Sequence, residues 1–279
     1  MTLAGHVADY EVTAEVVKDG TFACLRARRP ARLGGSGEVT VWALGPAARA
    51  PWPMARSRAG AFAAVRSPGL PPWLEVGMAE HDERPVIFVS AEVTVTATLA
   101  SPPPELGMPG RLRALAAAAR GAHALHEHGQ LHAGICPQSV GLCPDGTAVL
   151  GPPPLADGRR LLAQVGYPPL AYIDPQLLRG SAGRWSDIWA LGATAHQVVT
   201  GFPPFQGLDD IPVVQALARQ LASPAPALAP MPTAISELVS RCLALGPAAR
   251  PPTAAEVADG LEQAASQWQG PGEAVSGRG

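Results

Sequence analysis

The chain has 279 residues, of which 47% are hydrophobic and 16% charged. This composition indicates a folded globular protein and excludes an intrinsically disordered one. Its net charge of −2 predicts no basic surface for nucleic-acid phosphates, so no nucleic-acid partner is expected. No apolar run approaches the roughly 20 residues that span a bilayer, and the opening MTLAGHVADY lacks the pattern of a signal peptide. We therefore expect a cytoplasmic protein without a membrane partner.

The first hundred residues carry strand patterns. Residues 10 to 29 alternate apolar and polar side chains around the turn Lys18-Asp19-Gly20, which predicts a β-hairpin. The segment EVTVWALG, residues 38 to 45, predicts the next strand, and residues 73 to 95 predict two more, joined by a charged turn. The proline-rich run ASPPPELGMPG then interrupts the pattern and predicts a boundary near residue 100.

Helical patterns follow this boundary, with one polar stretch between them. The segment RLRALAAAARGAHALHEH, residues 111 to 128, has apolar residues near a 3.6-residue period and predicts a helix that Gly129 closes. A polar loop comes next, and then QSVGL and TAVLG, separated by the turn CPDG, predict a tight hairpin. A helix, a loop and a hairpin in this order can hold several side chains at one spot.

Cysteine and histidine are the candidates for metal chemistry. The cysteines are Cys24, Cys136, Cys143 and Cys242. They lack the spacing of metal ligands and are expected to be small buried side chains. The grouped histidines are His123, His126, His128 and His132. We expect no metal site from either set.

Three motifs resemble the eukaryotic-type (Hanks-type) Ser/Thr protein kinase superfamily. The stretch from His132 to Gly151 resembles its catalytic loop, H-R-D-x-K-x-x-N, and the D-F-G motif that follows. The segment SDIWALGATAHQVVTGFPPF, residues 186 to 205, resembles the S-D-x-W-S-L-G helix and T-G-x-P-P-F, and residues 235 to 263 resemble the last helices with their R-P-T-A-x-E signature. Because the motifs depart from the family pattern at catalytic positions, the chain resembles a degenerate, bacterial-style pseudokinase of this superfamily.

The resemblance implies a fold and its boundaries. It implies an α+β, bilobal protein-kinase-like fold with a small β-rich N-lobe and a large, mainly α-helical C-lobe. The implied domain covers residues 10 to 265, divided into an N-lobe at about 10 to 99 and a C-lobe at about 100 to 265. An N-terminal tail, residues 1 to 9, and a disordered tail, residues 266 to 279, are expected on either side.

The resemblance also implies which residues stand where a kinase has its catalytic groups. Gly134 matches the catalytic Asp, Ser139 the metal-binding Asn, and Gly151 the D-F-G Asp. Cys136 replaces the loop Lys, and Trp42 replaces the strand Lys that contacts the phosphates. An indole offers one N–H donor and no charge. Because the indole is bulky, we expect Trp42 to intrude on the nucleotide cleft.

Other matched positions have structural roles in the family. His132 matches the loop His, and Asp187 is expected to accept backbone hydrogen bonds from the loop. Arg250 matches an Arg that normally pairs with a Glu, and Gln176 stands at that Glu's position. We therefore expect a neutral hydrogen bond between Gln176 and Arg250.

Few residues remain as candidates for contacting a nucleotide. Only Gly20 is retained from the glycine-rich loop, and Lys18 is the only lysine of the chain, so both are weak cofactor-binding candidates. Asp145 lies in the predicted hairpin turn and is expected to point away from the cleft, and we do not expect Asp157 to relocate into it.

These replacements predict a catalytically inactive pseudokinase and not an enzyme. It would act as a protein-binding scaffold or regulatory module in a signalling or biosynthetic pathway, with an unidentified protein partner. No cofactor and no metal-dependent ATP binding are expected. The candidate docking surfaces are the large-lobe helices and the proline-rich residues 151 to 176, which contain no Ser or Thr.

Two alternatives remain open. One is a residual or repurposed ATP-dependent transferase that moves phosphoryl or nucleotidyl groups. The other is a nucleotide or small-molecule sensor that uses the old ATP cleft beside Trp42. A metal-dependent thermal shift with ATP favours the transferase.

Overall fold

The computed structural model describes residues 5–19, 22–45, 52–154, 169–179, 182–208, 211–222 and 232–268. Over these residues the protein combines β-sheet with α-helix, which confirms the predicted α+β class. Strands predominate before residue 100 and helices after it.

An antiparallel sheet of six strands forms the first part of the structure. Its strands are β1 (His6–Val7), β2 (Tyr10–Asp19), β3 (Phe22–Arg28), β4 (Glu38–Leu44), β5 (Trp73–His81) and β6 (Arg84–Ala91). Their order across the sheet is β1-β2-β3-β4-β6-β5. Since β1 pairs with β2 through His6 and Glu11, the sheet begins inside the segment that was expected to be an N-terminal tail.

The predicted hairpin at residues 10 to 29 is confirmed. Strands β2 and β3 pair from Glu11 and Arg28 to Asp19 and Phe22. The turn residues 20 and 21, and with them the candidate Gly20, lie outside the described residues.

Strand β4 lies inside the sheet between β3 and β6, and it is buried on both faces. Successive side chains of a strand point to opposite faces. Val39 and Val41 accordingly pack into one hydrophobic cluster, whereas Trp42 and Leu44 pack into the other, larger one. This alternation directs the Trp42 indole toward the rest of the molecule.

A second sheet contains the hairpin that follows the polar loop. Its strands are β7 (Ala97–Thr98), β8 (Val140–Leu142) and β9 (Ala148–Leu150). Strands β8 and β9 pair from Val140 and Leu150 to Leu142 and Ala148, which confirms the predicted tight hairpin. Asp145 stays in the turn, where its Oδ1 accepts hydrogen bonds from the Thr147 amide at 2.9 Å and from the Thr147 hydroxyl at 2.6 Å.

Six α-helices lie within the described residues. They are α1 (Trp52–Ala63), α2 (Met108–Glu127), α3 (Arg184–Thr200), α4 (Val213–Ala222), α5 (Thr233–Cys242) and α6 (Ala254–Ser266). Helix α2 begins at Met108, ahead of the predicted Arg111, with Pro109 in its first turn, where the missing N–H costs no helical hydrogen bond. Gly129 follows it in the left-handed conformation, with φ of 68°, as the sequence predicts.

Helix α2 is the central helix of the larger hydrophobic cluster. It contacts α6, α3 and strand β9, and its Leu112, Leu115 and Leu125 are fully buried. A Cβ on Gly121 would lie 2.6 Å from the carbonyl oxygen of Gly69, so only glycine allows this close backbone contact beside the hairpin. No helix among these described ranges has the length and apolarity to cross a bilayer.

The C-terminal end of the fold is α6. It runs to Ser266, and Trp268 after it packs, partly buried, against the larger cluster. Residues 269–279, which make up most of the tail predicted to be disordered, lie outside the described residues.

Candidate functional site

Asp187, in the first turn of α3, binds the loop between α2 and β8 through hydrogen bonds. The carboxylate accepts the His132 amide at 2.9 Å and the Ala133 amide at 2.7 Å, and His126 Nε2 lies 2.8 Å from its Oδ2. Burial opposes ionisation of this carboxyl, but the His126 and backbone hydrogen bonds outweigh it and hold the pKa of Asp187 below its ordinary value. This carboxylate therefore fixes the loop backbone.

His132 is fully buried and joins the loop to the hairpin. Its Nε2 lies 3.0 Å from the Gly151 carbonyl oxygen, and its Nδ1 accepts the Gly134 amide at 3.2 Å. A ring that donates through Nε2 and accepts through Nδ1 is neutral. Burial lowers the pKa of His132 to about 4, so this neutral form persists at physiological pH.

Gly134, at the position matched to the catalytic Asp, has no room for a side chain. A Cβ there would lie 2.4 Å from Cδ and from Cγ of Pro154. Ala133 before it adopts a positive φ of 58°, which is uncommon for a residue other than glycine. Pro154 therefore fills the space that an Asp side chain at 134 would need.

Gly151, at the position matched to the D-F-G Asp, lies against Trp42. A Cβ there would lie 3.0 Å from Trp42 Nε1 and 3.3 Å from the Ser139 carbonyl oxygen. The indole is 2% exposed and packs edge to face on Trp73 at 5.5 Å between ring centroids. The bulk expected of Trp42 thus fills the interior between β4 and the hairpin.

Packed aromatic side chains connect Trp42 to the loop. Phe62 of α1 lies 5.2 Å from Trp73 and 6.0 Å from the His132 ring, between centroids. Helix α1 is also bound to the loop by hydrogen bonds, since Gln130 Nε2 donates to the Ala61 carbonyl oxygen at 2.8 Å. These contacts connect the large sheet, α1 and the loop through packed side chains. We call Trp42, Trp73 and Phe62 the aromatic cluster.

Ser139 and Cys136 serve the loop's own geometry. The Cys136 amide donates to Ser139 Oγ at 3.0 Å, and this hydroxyl donates to the Cys136 carbonyl oxygen at 2.8 Å. Both residues are buried. The structure thus places Ser139, which matches the metal-binding Asn, in a cap of a short 3-10 turn.

Lys18 lies away from this site. Its ammonium forms an ion pair with Asp82 in the turn between β5 and β6, and both side chains are about half exposed. The structure therefore does not bring Lys18 to the loop. No group of three or more His, Cys, Asp or Glu side chains in the described part of the chain is placed to hold a metal ion.

The predicted hydrogen bond between Gln176 and Arg250 is wrong. Arg250 instead forms a two-pronged ion pair with Asp174, at 2.7 and 3.1 Å, and both side chains are fully buried. Gln176 Nε2 donates to the Leu245 carbonyl oxygen at 2.7 Å. The sequence did contain a signal for this pair, because Asp174 is the acidic residue of the segment IDPQ.

Comparison with known proteins finds relatives among protein kinases. The chain is 29% identical over 194 residues to the DNA damage-responsive serine/threonine-protein kinase RqkA of Deinococcus radiodurans, which covers 65% of this chain and 28% of that protein. It is 31% identical over 169 residues to the tyrosine-protein kinase MasK of Myxococcus xanthus, covering 56% of this chain and 26% of that protein. No family model matches the chain.

A third relative is the 3-phosphoinositide-dependent protein kinase 1 of Rattus norvegicus, which is 32% identical over 105 residues, or 34% of this chain and 18% of that protein. The matches span about a quarter of the length of the two bacterial relatives. These names overturn the prediction that the chain is not an enzyme, because proteins named as protein kinases point to one.

Proposed function

Because the chain belongs to the protein kinase superfamily, we propose that it is a regulatory or scaffold module of that superfamily that acts by binding a protein partner. The observation that carries the proposal is the packing of the matched site. Trp42 packs against Gly151, and Pro154 against Gly134, at the positions that the motif resemblance matches to a kinase's metal-binding and catalytic Asp residues. With that space filled by side chains, the outer surface is the part of the domain free to make contacts.

The proposal includes the layout of the domain. We propose a two-lobed arrangement, with the N-lobe at about 10 to 99 and the C-lobe at about 100 to 265. In its support, the large sheet spans residues 6 to 91 and five of the six described α-helices lie between 108 and 266. The proposed partner is a protein, since a net charge of −2 supports neither a nucleic acid nor an anionic membrane surface as the partner.

A second candidate function is ATP-dependent phosphoryl transfer, which the names of the relatives favour. The two candidates are compatible, because binding energy from a partner can select a conformation in which Trp42 leaves the site. In that case the aromatic cluster is the element whose equilibrium the partner shifts.

Affinity capture tests the proposal and separates the candidates. The tagged chain is crosslinked in its native cells and captured, and the captured complex is assayed for transfer of labelled γ-phosphate beside the purified chain alone. We expect a protein partner to be recovered in proportion to the bait, with or without ATP and Mg²⁺. Transfer by the purified chain, with no partner above the bare-tag control, would favour the second candidate instead.

A further inference from the structure

A surface groove lies beside Arg250, the cationic member of the buried ion pair with Asp174. It is lined by the start of α3 and by the segment that precedes α6, and its volume is about 280 Å³. Its apolar lining is formed by Trp185, Ile188, Pro247, Ala248, Pro251 and Pro252. We call it the Trp185 groove.

Trp185 is a preformed aromatic surface in this groove. Its side chain is on the surface, and the residue is 38% exposed. A Cβ on Gly183 would lie 2.4 Å from the indole Cζ2, so glycine at this position leaves room for the ring against the backbone. An aromatic ring already held in place loses little conformational entropy when a ligand packs on it.

The groove carries one uncompensated positive charge. Of its two arginines, Arg250 is neutralised by the buried Asp174. Arg184 is exposed, and the described residues supply it with no hydrogen bond or ion pair. An acidic residue of the ligand placed opposite Arg184 would therefore favour binding in this groove.

The lining also limits the shape of the occupant. The groove has no strand edge along it, because its walls are the start of α3, a 3-10 turn at Pro247–Ala249 and the prolines after it. This excludes β-strand addition. It offers one exposed aromatic ring and not the series of anchors at i, i+4 and i+7 that a helix requires, whereas aromatic and proline-rich walls suit a polyproline II segment.

We propose that the Trp185 groove binds an extended, proline-containing segment of a partner protein, with an acidic residue beside the prolines. A proline ring packs on the Trp185 indole, and the acidic side chain pairs with Arg184. The inference rests on the proposed partner-binding function and names the chemistry that recognises the partner.

Fluorescence anisotropy with labelled synthetic peptides tests this inference on the full chain. The probe is a twelve-residue peptide with two prolines in a P-x-x-P arrangement and two flanking Glu residues. Its comparison peptides replace the prolines with Ala, or the Glu residues with Lys. We expect saturable binding of the acidic proline peptide, at least tenfold weaker binding of both comparison peptides, and an affinity that falls as salt rises.

Three variants assign the binding to the groove. Trp185→Ala should weaken the acidic proline peptide at least tenfold, and Arg184→Glu should reverse the preference between the Glu and Lys peptides. Phe202→Ala is the matched control, because Phe202 is 61% exposed and does not line the groove, and it should change the affinity less than twofold. Thermal melts establish that each variant is folded, and Arg184→Glu carries the test if Trp185→Ala is not.

Several results would overturn the inference. They are no saturable binding, equal binding of the three peptides, or an affinity unchanged in Trp185→Ala and Arg184→Glu. Self-association that Arg184→Glu abolishes would assign the groove to a second copy of the chain. A partner captured from cells equally well by wild type and both variants sinks this inference alone, whereas absence of any captured partner sinks the proposed function as well.

Discussion

At the scale of single residues, two contacts shape the site. In each of them a larger residue packs so closely on a glycine that the glycine position has no room for a side chain. Gly134 faces Pro154, and Gly151 faces Trp42. The sequence contains the two glycines and the tryptophan, and the resemblance to the kinase motifs predicts that they stand in place of the catalytic Asp, the D-F-G Asp and the strand Lys. It did not predict Pro154 as the residue that fills position 134, because this contact depends on how the chain folds back after β9.

The contact between positions 134 and 154 predicts non-additive stability effects. Gly134→Ala should lower the free energy of unfolding by about 1–3 kcal/mol, because the new methyl group meets the proline ring. Replacing Pro154 with Ala in the same chain should recover part of that loss. A double-mutant cycle by urea unfolding measures the coupling, and strictly additive effects would contradict the contact.

His132 predicts a pH dependence of stability. Its pKa is about 4 in the folded protein and 6.5 ordinarily, so below pH 6.5 the unfolded chain binds more protons than the folded one. Stability should therefore be fully present above pH 6.5 and fall by ~3 kcal/mol as pH drops from 6.5 to 4. Asp187, with its lowered pKa, adds a loss of the same sign at still lower pH.

Urea unfolding between pH 4 and 7.5 checks this dependence. His132→Gln should be less stable at pH 7 but show a flatter slope between pH 6.5 and 4. The remaining slope should include His196, whose pKa burial also lowers. A variant slope as steep as that of the wild type would show that His132 is not the titrating group.

At the scale of elements, the sequence predicted the parts with local patterns. The β2–β3 hairpin, helix α2 with its Gly129 end and the β8–β9 hairpin follow from periodicity and turn residues within each segment. The partner of Arg250 was assigned wrongly, since it is Asp174 and not Gln176. Alignment with the family pointed to Gln176, two positions further on, and the fold selected the charged neighbour.

The buried Asp174–Arg250 ion pair predicts a large effect of truncation. Arg250→Gln should lower the free energy of unfolding by about 3–5 kcal/mol, because it leaves the Asp174 carboxylate buried without its partner. Arg241→Gln is the matched control: Arg241 pairs with Glu256, and their side chains are 51% and 39% exposed, so about 1 kcal/mol or less is expected. Equal losses in urea unfolding would contradict the distinction.

The aromatic cluster connects the large sheet to α1 and the loop. Trp42→Ala should destabilise the protein by about 3–5 kcal/mol, since Trp42 is 2% exposed and packs on Trp73. Trp42→Phe should recover more than half of this loss by keeping an aromatic ring against Trp73. Thermal unfolding of the two variants checks the prediction, and equal stability of wild type and Trp42→Ala would mean that the site is not packed as described.

At the scale of the whole molecule, a sequence similar to those of protein kinases folds around a continuous hydrophobic interior that includes Trp42. One hydrophobic cluster extends from Trp42 of the large sheet through α2 to Leu261 of α6. The motif resemblance predicted the helix that carries Asp187, because this residue lies in the segment SDIWALG. The Trp185 groove was not predicted, because it forms between segments some sixty residues apart whose apolar residues have no shared pattern in sequence.

Crosslinked capture of the tagged chain from its native cells, followed by labelled γ-phosphate transfer on the eluate, tests whether the chain acts by binding a protein partner. We expect one protein to be recovered in proportion to the bait, whether or not ATP and Mg²⁺ are present. A purified chain that transfers phosphate by itself, while its capture recovers nothing beyond the bare-tag control, would contradict it.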